Sequence, residues 1–113
     1  MSLTLVSLPI GNPDDITLRA INTLKASDHI IGEERKPLHQ ILAHLDLRDM
    51  DYFLLNEHSG KDDLEELVEL CRNKSVSLVT DCGTPGFCDP GADLVRACRQ
   101  NGIQVDINPG ASS

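Results

Sequence analysis

The chain has 113 residues, of which 40% are apolar and 25% are charged, and its formal net charge is −8. This length predicts one layered domain, and an aromatic content of 3% predicts an aliphatic core. Because phosphate contacts need clustered Lys and Arg, the charge argues against this segment alone being the main nucleic-acid-binding surface, although it leaves room for an RNA substrate held elsewhere.

The first part of the chain alternates predicted strands and helices. The apolar run LTLVSL at 3–8 predicts a buried strand. A helix is expected to start at Pro13–Asp15, where acids lie near the positive end of the helix dipole, and apolar residues recur at helical spacing over 16–24. HII at 29–31 predicts a second strand. The next helix is expected to begin near Pro37, and its apolar stripe consists of Leu38, Ile41, Leu42 and Leu45.

The middle of the chain repeats this alternation. DYFLL at 51–55 predicts a third strand. A helix follows with an apolar face over 64–71, and Asp62 or Asp63 is expected to cap its start. The apolar run VSLVT at 76–80 then predicts a fourth strand.

The last predicted elements are a helix and a strand. The helix is expected to begin at Asp89–Pro90 and to stop at Gly102, and IQVDI at 103–107 predicts the fifth strand. The apolar face of this helix consists of Leu94, Val95 and Cys98. Strands that are apolar throughout and separated by helices favour parallel pairing, so the predicted fold is α/β, an open, mainly parallel five-stranded sheet with helices on both faces.

Three loops rich in glycine and proline follow predicted strands, namely 9–12, 81–91 and 108–113. In open α/β sheets, ligands bind outside the carboxyl ends of the strands near the point where strand order reverses. GxGxxG and GxxxxGK[ST] are both missing, which argues against a phosphate cradle. Loops of this kind with few cations suit a ligand of low negative charge that is recognised by backbone hydrogen bonds and small hydroxyls, although turns without a ligand have the same composition.

Cysteines and histidines do not form a metal-binding pattern. The four cysteines lack CxxC spacing and follow neither a signal peptide nor an 18-residue apolar run, which favours reduced thiols, a cytoplasmic location and no membrane contact. Cys71 and Cys98 fall on apolar helical faces, and Cys82 and Cys88 lie in the loop at 81–91 without further ligands, so no metal is expected. The scattered histidines, expected to be polar surface residues, are His29, His39, His44 and His58.

Carboxylates are the remaining candidates for chemistry. Glu33, Glu34 and Asp81 follow predicted strands and can reach the crevice, but carboxylates at strand ends also cap helices and turns. The sequence therefore names no catalytic base.

Several motifs carry a family resemblance. PIGNPDDITLRA, then GEER, then LVTDCGTPGFCDPGADLVRACRQNGI and PGASS resemble the amino-terminal domain of the tetrapyrrole (corrin/porphyrin) methylase superfamily. Within that superfamily the motifs are most similar to the branch that 2′-O-methylates a cytidine of small-subunit ribosomal RNA. The resemblance covers essentially the whole chain, with three motifs in order at matching strand ends.

The resemblance implies an S-adenosyl-L-methionine-dependent methyltransferase built from two α/β domains. Residues 1–113 would form the amino-terminal cofactor-binding domain of a longer, homodimeric protein, and the second domain would complete the cofactor cleft and much of the substrate surface. The cofactor-binding residues implied in this way are Pro9, Ile10, Gly11, Asn12, Gly83, Thr84, Pro85, Gly86, Phe87, Gly110, Ala111, Ser112 and Ser113.

Two segments depart from the family pattern. The ribosomal RNA branch carries an acidic residue followed by Asp-Thr-Arg after the second strand, whereas this chain has EERK at 33–36, and NEHS at 56–59 matches only loosely. Two alternatives stay open. The superfamily and the acidic charge allow a methyltransferase for a tetrapyrrole or another small molecule, and the altered stretch at 34–36 allows a non-catalytic binding or assembly module that retains the scaffold.

Overall fold

The structure is a computed structural model that describes residues 1–8, 16–56, 59–81 and 90–108. Strands and helices alternate along these residues in the predicted order. They are β1 (Ser2–Leu8), α1 (Leu18–Ala26), β2 (His29–Gly32), α2 (Arg35–His44), β3 (Tyr52–Leu54), α3 (Lys61–Asn73), β4 (Ser75–Asp81), α4 (Pro90–Gln100) and β5 (Gln104–Asn108).

The five strands form one sheet in the order β3-β2-β4-β1-β5. Every neighbouring pair is parallel, which confirms the predicted open α/β sheet. Parallel pairing places all the carboxyl ends at one edge of the sheet, called the carboxyl edge below. Within the described ranges, no helix has the length and apolar character needed to cross a membrane.

Each face of the sheet is covered by two helices. The buried residues of α1 and α2 share one core cluster with Val6 and Leu8 of β1, whereas those of α3 and α4 share the other cluster with Leu3 and Leu5. Side chains alternate between the two faces along a strand, so a strand covered on both sides carries apolar residues on both faces. This double burial explains why LTLVSL shows no apolar–polar alternation.

Two helices start at positions that differ from the predictions. α1 begins at Leu18 rather than at 13–15, because the extended residue Thr17 caps it: the Thr17 side-chain oxygen accepts the Ala20 N–H at 3.1 Å. α2 begins at Arg35, two residues before Pro37, which therefore lies within the first helical turn. Proline is tolerated there because the first N–H groups of a helix have no partner within the helix.

Caps at α3 and α4 agree with the sequence. The Asp63 carboxylate accepts the Gly60 N–H at 2.9 Å, so Asp63 fulfils the capping role that was left open between two aspartates. After α4, Gly102 has a φ of 73°. Its N–H donates to the Arg99 carbonyl at 3.1 Å and the Ile103 N–H to the Cys98 carbonyl at 2.9 Å, the bond pair of a Schellman motif. Glycine adopts this left-handed conformation without steric cost, which explains the helix stop.

The described thiols, Cys71 and Cys98, pack between α3 and α4 and are buried, as predicted. A hydrogen bond to Cys98, together with burial, raises the pKa of the Cys71 thiol. A thiol with a raised pKa stays protonated, so Cys71 behaves as a small core residue.

Candidate functional site

Strand order reverses between β1 and β4, which are neighbours in the sheet. From β1 the chain runs through α1 to β2 on one side, and from β4 it runs through α4 to β5 on the other side. The two crossover helices cover opposite faces, because α1 packs in one core cluster and α4 in the other. The carboxyl edge between β1 and β4 is therefore the topological switch point, which is the position where open α/β sheets bind ligands.

The strands that lead into the three glycine-rich and proline-rich loops are consecutive in the sheet. β4, β1 and β5 lie side by side, with Leu8 opposite Asp81 and Val6 opposite Asn108. At about 4.8 Å between strands, their ends span roughly 10 Å. We call this part of the carboxyl edge the switch half. The predicted cofactor residues at 9–12, 83–87 and 110–113 follow these strand ends but lie outside the described residues.

Two hydroxyl side chains lie just before the strand ends of the switch half. The Ser7 Oγ and the Thr80 Oγ1 are 3.5 Å apart and partly buried, one residue before the ends of β1 and β4. They follow Leu5 and Leu78 on the face that α3 and α4 cover. The pair was not among the candidate residues predicted from the sequence. Its signal was a hydroxyl residue in the penultimate position of two apolar strands.

The remaining part of the edge, formed by the ends of β2 and β3, is called the outer half. Its loops are joined by hydrogen bonds: the Leu55 N–H donates to the Gly32 carbonyl at 2.8 Å, and the Asn56 side-chain amide donates to the Glu33 carbonyl at 3.1 Å. The Asn56 N–H also donates to the Ser59 hydroxyl at 3.1 Å. These bonds connect the residues just after β2 with those just after β3.

Gly32, at the end of β2, is needed for packing in the outer half. A Cβ atom built on it would lie 2.8 Å from Cδ2 of Leu38, closer than carbon atoms approach. Leu38 is buried at 3% exposure in the core below α2, so it has little space to move. This glycine was not among the candidate residues predicted from the sequence. The sequence feature that could have identified it is its position between the apolar HII and the following helix.

Of the predicted carboxylates, Glu33 and Glu34 are exposed at the outer half. Glu34 occupies the position before α2, where its side chain makes no capping bond. Asp81 is the last residue of β4. Glu33 and Glu34 thus follow β2, and Asp81 ends the adjacent strand β4.

The histidines are not gathered at this edge in the described ranges. His29 begins β2, at the opposite edge of the sheet, with its ring at 5.6 Å and edge-on to that of Phe53. His39 on α2 shares a hydrogen bond of 2.7 Å with the Tyr52 hydroxyl. Among the residues that the structure describes, no group of three His, Cys, Asp or Glu side chains can hold a metal ion. His58, Cys82 and Cys88 lie outside these residues.

Comparisons with known proteins give a consistent result. The family model described as Tetrapyrrole (Corrin/Porphyrin) Methylases matches residues 2–113. Two relatives are both named ribosomal RNA small subunit methyltransferase I. The chain is 41% identical to the one from Leptospira biflexa, covering 98% of this chain and 46% of the relative. It is 42% identical to the one from Rickettsia prowazekii, covering 98% and 40%. The chain thus spans about half the length of the curated relatives it matches.

A solved structure shows the same fold at lower identity. The uroporphyrin-III C-methyltransferase of Thermus thermophilus, solved with S-adenosylhomocysteine, superimposes with a TM-score of 0.72 at 21% identity. The match covers 97% of this chain and 45% of that protein. At this identity the similarity establishes the arrangement of strands and helices.

Proposed function

The chain belongs to the tetrapyrrole (corrin/porphyrin) methylase family, and from this premise we propose that it is the cofactor-binding part of an S-adenosylmethionine-dependent methyltransferase acting on small-subunit ribosomal RNA. The observation that carries the proposal is the identity of 41% to a ribosomal RNA small subunit methyltransferase I over 98% of the chain, which includes the loops leaving the switch half. The sheet supports it, because those loops follow three neighbouring strands at the switch point.

The chemistry of the switch half fits this cofactor. The described residues at the ends of its strands are Leu8, Asp81 and Asn108, preceded by the Ser7 and Thr80 hydroxyls, and none of them is a cation. S-adenosylmethionine has no phosphate group and needs no lysine-bearing cradle. Neutral hydroxyls and backbone groups suit it.

When bound, S-adenosylmethionine supplies a methyl group that the sulfonium has already activated. The protein then has to hold donor and acceptor in line, exclude water and provide a route for the hydroxyl proton. We propose that the residues Pro9–Asn12, Gly83–Phe87 and Gly110–Ser113 hold the cofactor, and that a second domain closes the cleft. The length of the relatives, about twice that of this chain, supports the second domain. A cytoplasmic homodimer is proposed from the same resemblance.

The test is transfer of a labelled methyl group by the complete protein to small ribosomal subunits that lack the modification. Label should appear in the RNA, and the methylated position should resist alkaline cleavage. In alkaline cleavage the 2′-hydroxyl attacks the adjacent phosphate, and a 2′-O-methyl group removes that nucleophile. Transfer to another atom would leave the RNA cleavable and would contradict the proposed ribose target.

A second candidate, methylation of a tetrapyrrole or other small molecule, is favoured by the net charge of −8, since an acidic domain is repelled by RNA phosphates. The same assay with a tetrapyrrole acceptor separates the two functions. Label in the tetrapyrrole and none in the ribosomal subunits would replace the first proposal. Cofactor binding without transfer to either acceptor would indicate a non-catalytic module.

A further inference from the structure

The hydroxyl pair Ser7–Thr80 is a polar feature of the switch half that the fold itself does not require. Both residues stand on strands whose side chains on this face are otherwise buried leucine and valine: Leu3 and Leu5 on β1, and Val76 and Leu78 on β4. Ser7 and Thr80 are partly buried, and a hydroxyl residue at such a position forgoes part of the hydrophobic stabilisation that an apolar side chain would give. A binding role explains why the two adjacent strands both carry a hydroxyl residue at this register position.

The pair is positioned to meet a ligand. Ser7 and Thr80 are register partners on β1 and β4, the two strands that flank the switch point, and each precedes its strand end by one residue. Their hydroxyl oxygens are 3.5 Å apart, a weak mutual bond that leaves hydrogen-bonding capacity on both groups. They lie at the base of the proposed cleft, directly before the loops at 9–15 and 82–89.

The charges of the neighbourhood indicate which end of the cofactor they meet. The amino-acid end of S-adenosylmethionine carries an ammonium and a carboxylate, and both need hydrogen-bonding partners once they leave water. The described residues that end β4, β1 and β5 include no lysine or arginine to pair with the carboxylate. Hydroxyl groups can donate to the carboxylate and accept from the ammonium, so the Ser7–Thr80 pair can serve either group.

Resting on the proposed function, we infer that the hydroxyls of Ser7 and Thr80 bind the amino-acid end of S-adenosylmethionine at the switch point between β1 and β4. Each hydroxyl makes one hydrogen bond to a charged group of the cofactor. The adenosine end is left to the loops that follow β1, β4 and β5.

The test uses two ligands that differ at this end, S-adenosylhomocysteine and 5′-methylthioadenosine, which lacks the amino-acid group. Calorimetry on the complete protein compares the wild type with Ser7→Ala and Thr80→Val. Each variant is expected to weaken S-adenosylhomocysteine binding by about tenfold, the value of one charge-assisted hydrogen bond, and methylthioadenosine binding by less than about twofold. Thr80→Ser should recover most of the loss caused by Thr80→Val.

The matched control is Thr4→Val, the same change on β1 at a residue that pairs with Ser77 and lies on the other face, away from the edge. It should alter neither dissociation constant by more than about twofold. Ser7→Ala and Thr80→Val would overturn the inference if they weakened the binding of both ligands equally, or if they left the affinity for S-adenosylhomocysteine unchanged. A wild-type protein that binds neither ligand would instead overturn the proposed function.

Discussion

The two halves of the carboxyl edge are built in different ways. In the outer half, the loops after β2 and β3 are joined by hydrogen bonds, as between the Asn56 amide and the Glu33 carbonyl, and Gly32 lets α2 pack directly against the strand end. In the switch half, the ends of β4, β1 and β5 lead into loops of glycine, proline and small residues, with the Ser7–Thr80 hydroxyls at their base.

This difference indicates that the outer half contributes to stability and the switch half to ligand binding. Bonds that are already satisfied within the protein contribute to stability but are not available to a ligand, whereas hydroxyls with spare capacity can bind one. We therefore expect substitutions in the switch half to change cofactor affinity with little effect on stability. Substitutions in the outer half should do the reverse.

The largest expected effect is that of Thr84→Arg in the switch half. If residues 83–87 line the cofactor cleft, a long cationic side chain there would fill the space of the ligand and repel its sulfonium, weakening cofactor binding by at least about a hundredfold. Calorimetry with S-adenosylmethionine on the complete protein checks this. The melting temperature should stay within a few degrees, since loop substitutions seldom cost more than about 0.5 kcal/mol.

The control for Thr84→Arg is Lys61→Arg, a cation at the exposed start of α3 that is replaced by another cation. The dissociation constant of the Lys61→Arg variant for S-adenosylmethionine should match that of the wild type. Retained binding in Thr84→Arg would contradict the proposed cleft and would remove the functional side of the comparison between the two halves.

An intermediate effect is expected for Gly32→Ala in the outer half. The added Cβ would lie 2.8 Å from Leu38 Cδ2, and the buried leucine would have to shift, lowering the free energy of unfolding by about 1–3 kcal/mol. Urea unfolding of the 113-residue chain measures this. The matched control is Gly91→Ala on α4, where the nearest atom among the described residues, Leu78 Cδ2, is 3.8 Å away and the free energy of unfolding should be unchanged or slightly higher. An equal effect of both substitutions would show that close packing at Gly32 is unimportant.

Local sequence patterns predicted the strands and helices because each depends on residues close together in the chain. Aliphatic runs such as VSLVT, bounded by turn residues, specify strands that are buried on both faces. The predicted start of α1 was wrong because acidic residues near a dipole and a capping hydroxyl compete, and the Thr17 side chain decided the position of the helix start.

The arrangement of the edge could not be predicted in the same way. Nothing local to β1 specifies that β4, 73 residues later, becomes its neighbour and brings Thr80 beside Ser7. The bond between Asn56 and Glu33 likewise joins residues 23 positions apart in sequence. The motifs at 9–12 and 83–87 predict the cofactor residues through a family resemblance, whereas the contacts of the strand ends depend on strand order and register.

The smallest expected effect is that of Asn56→Asp, which keeps the shape of the side chain but removes the amide donor to the Glu33 carbonyl. The carboxylate would face that carbonyl oxygen without a proton between them, so the free energy of unfolding should fall by about 0.5–1.5 kcal/mol, the net value of one hydrogen bond. Asn56→Ala serves as the comparison, since it removes the donor without adding charge and should cost no more than the aspartate. Urea unfolding measures both. Cofactor affinity should be unchanged in either variant, because the outer half uses this bond internally; a tenfold loss of affinity in both would show that the two halves of the edge act as one site.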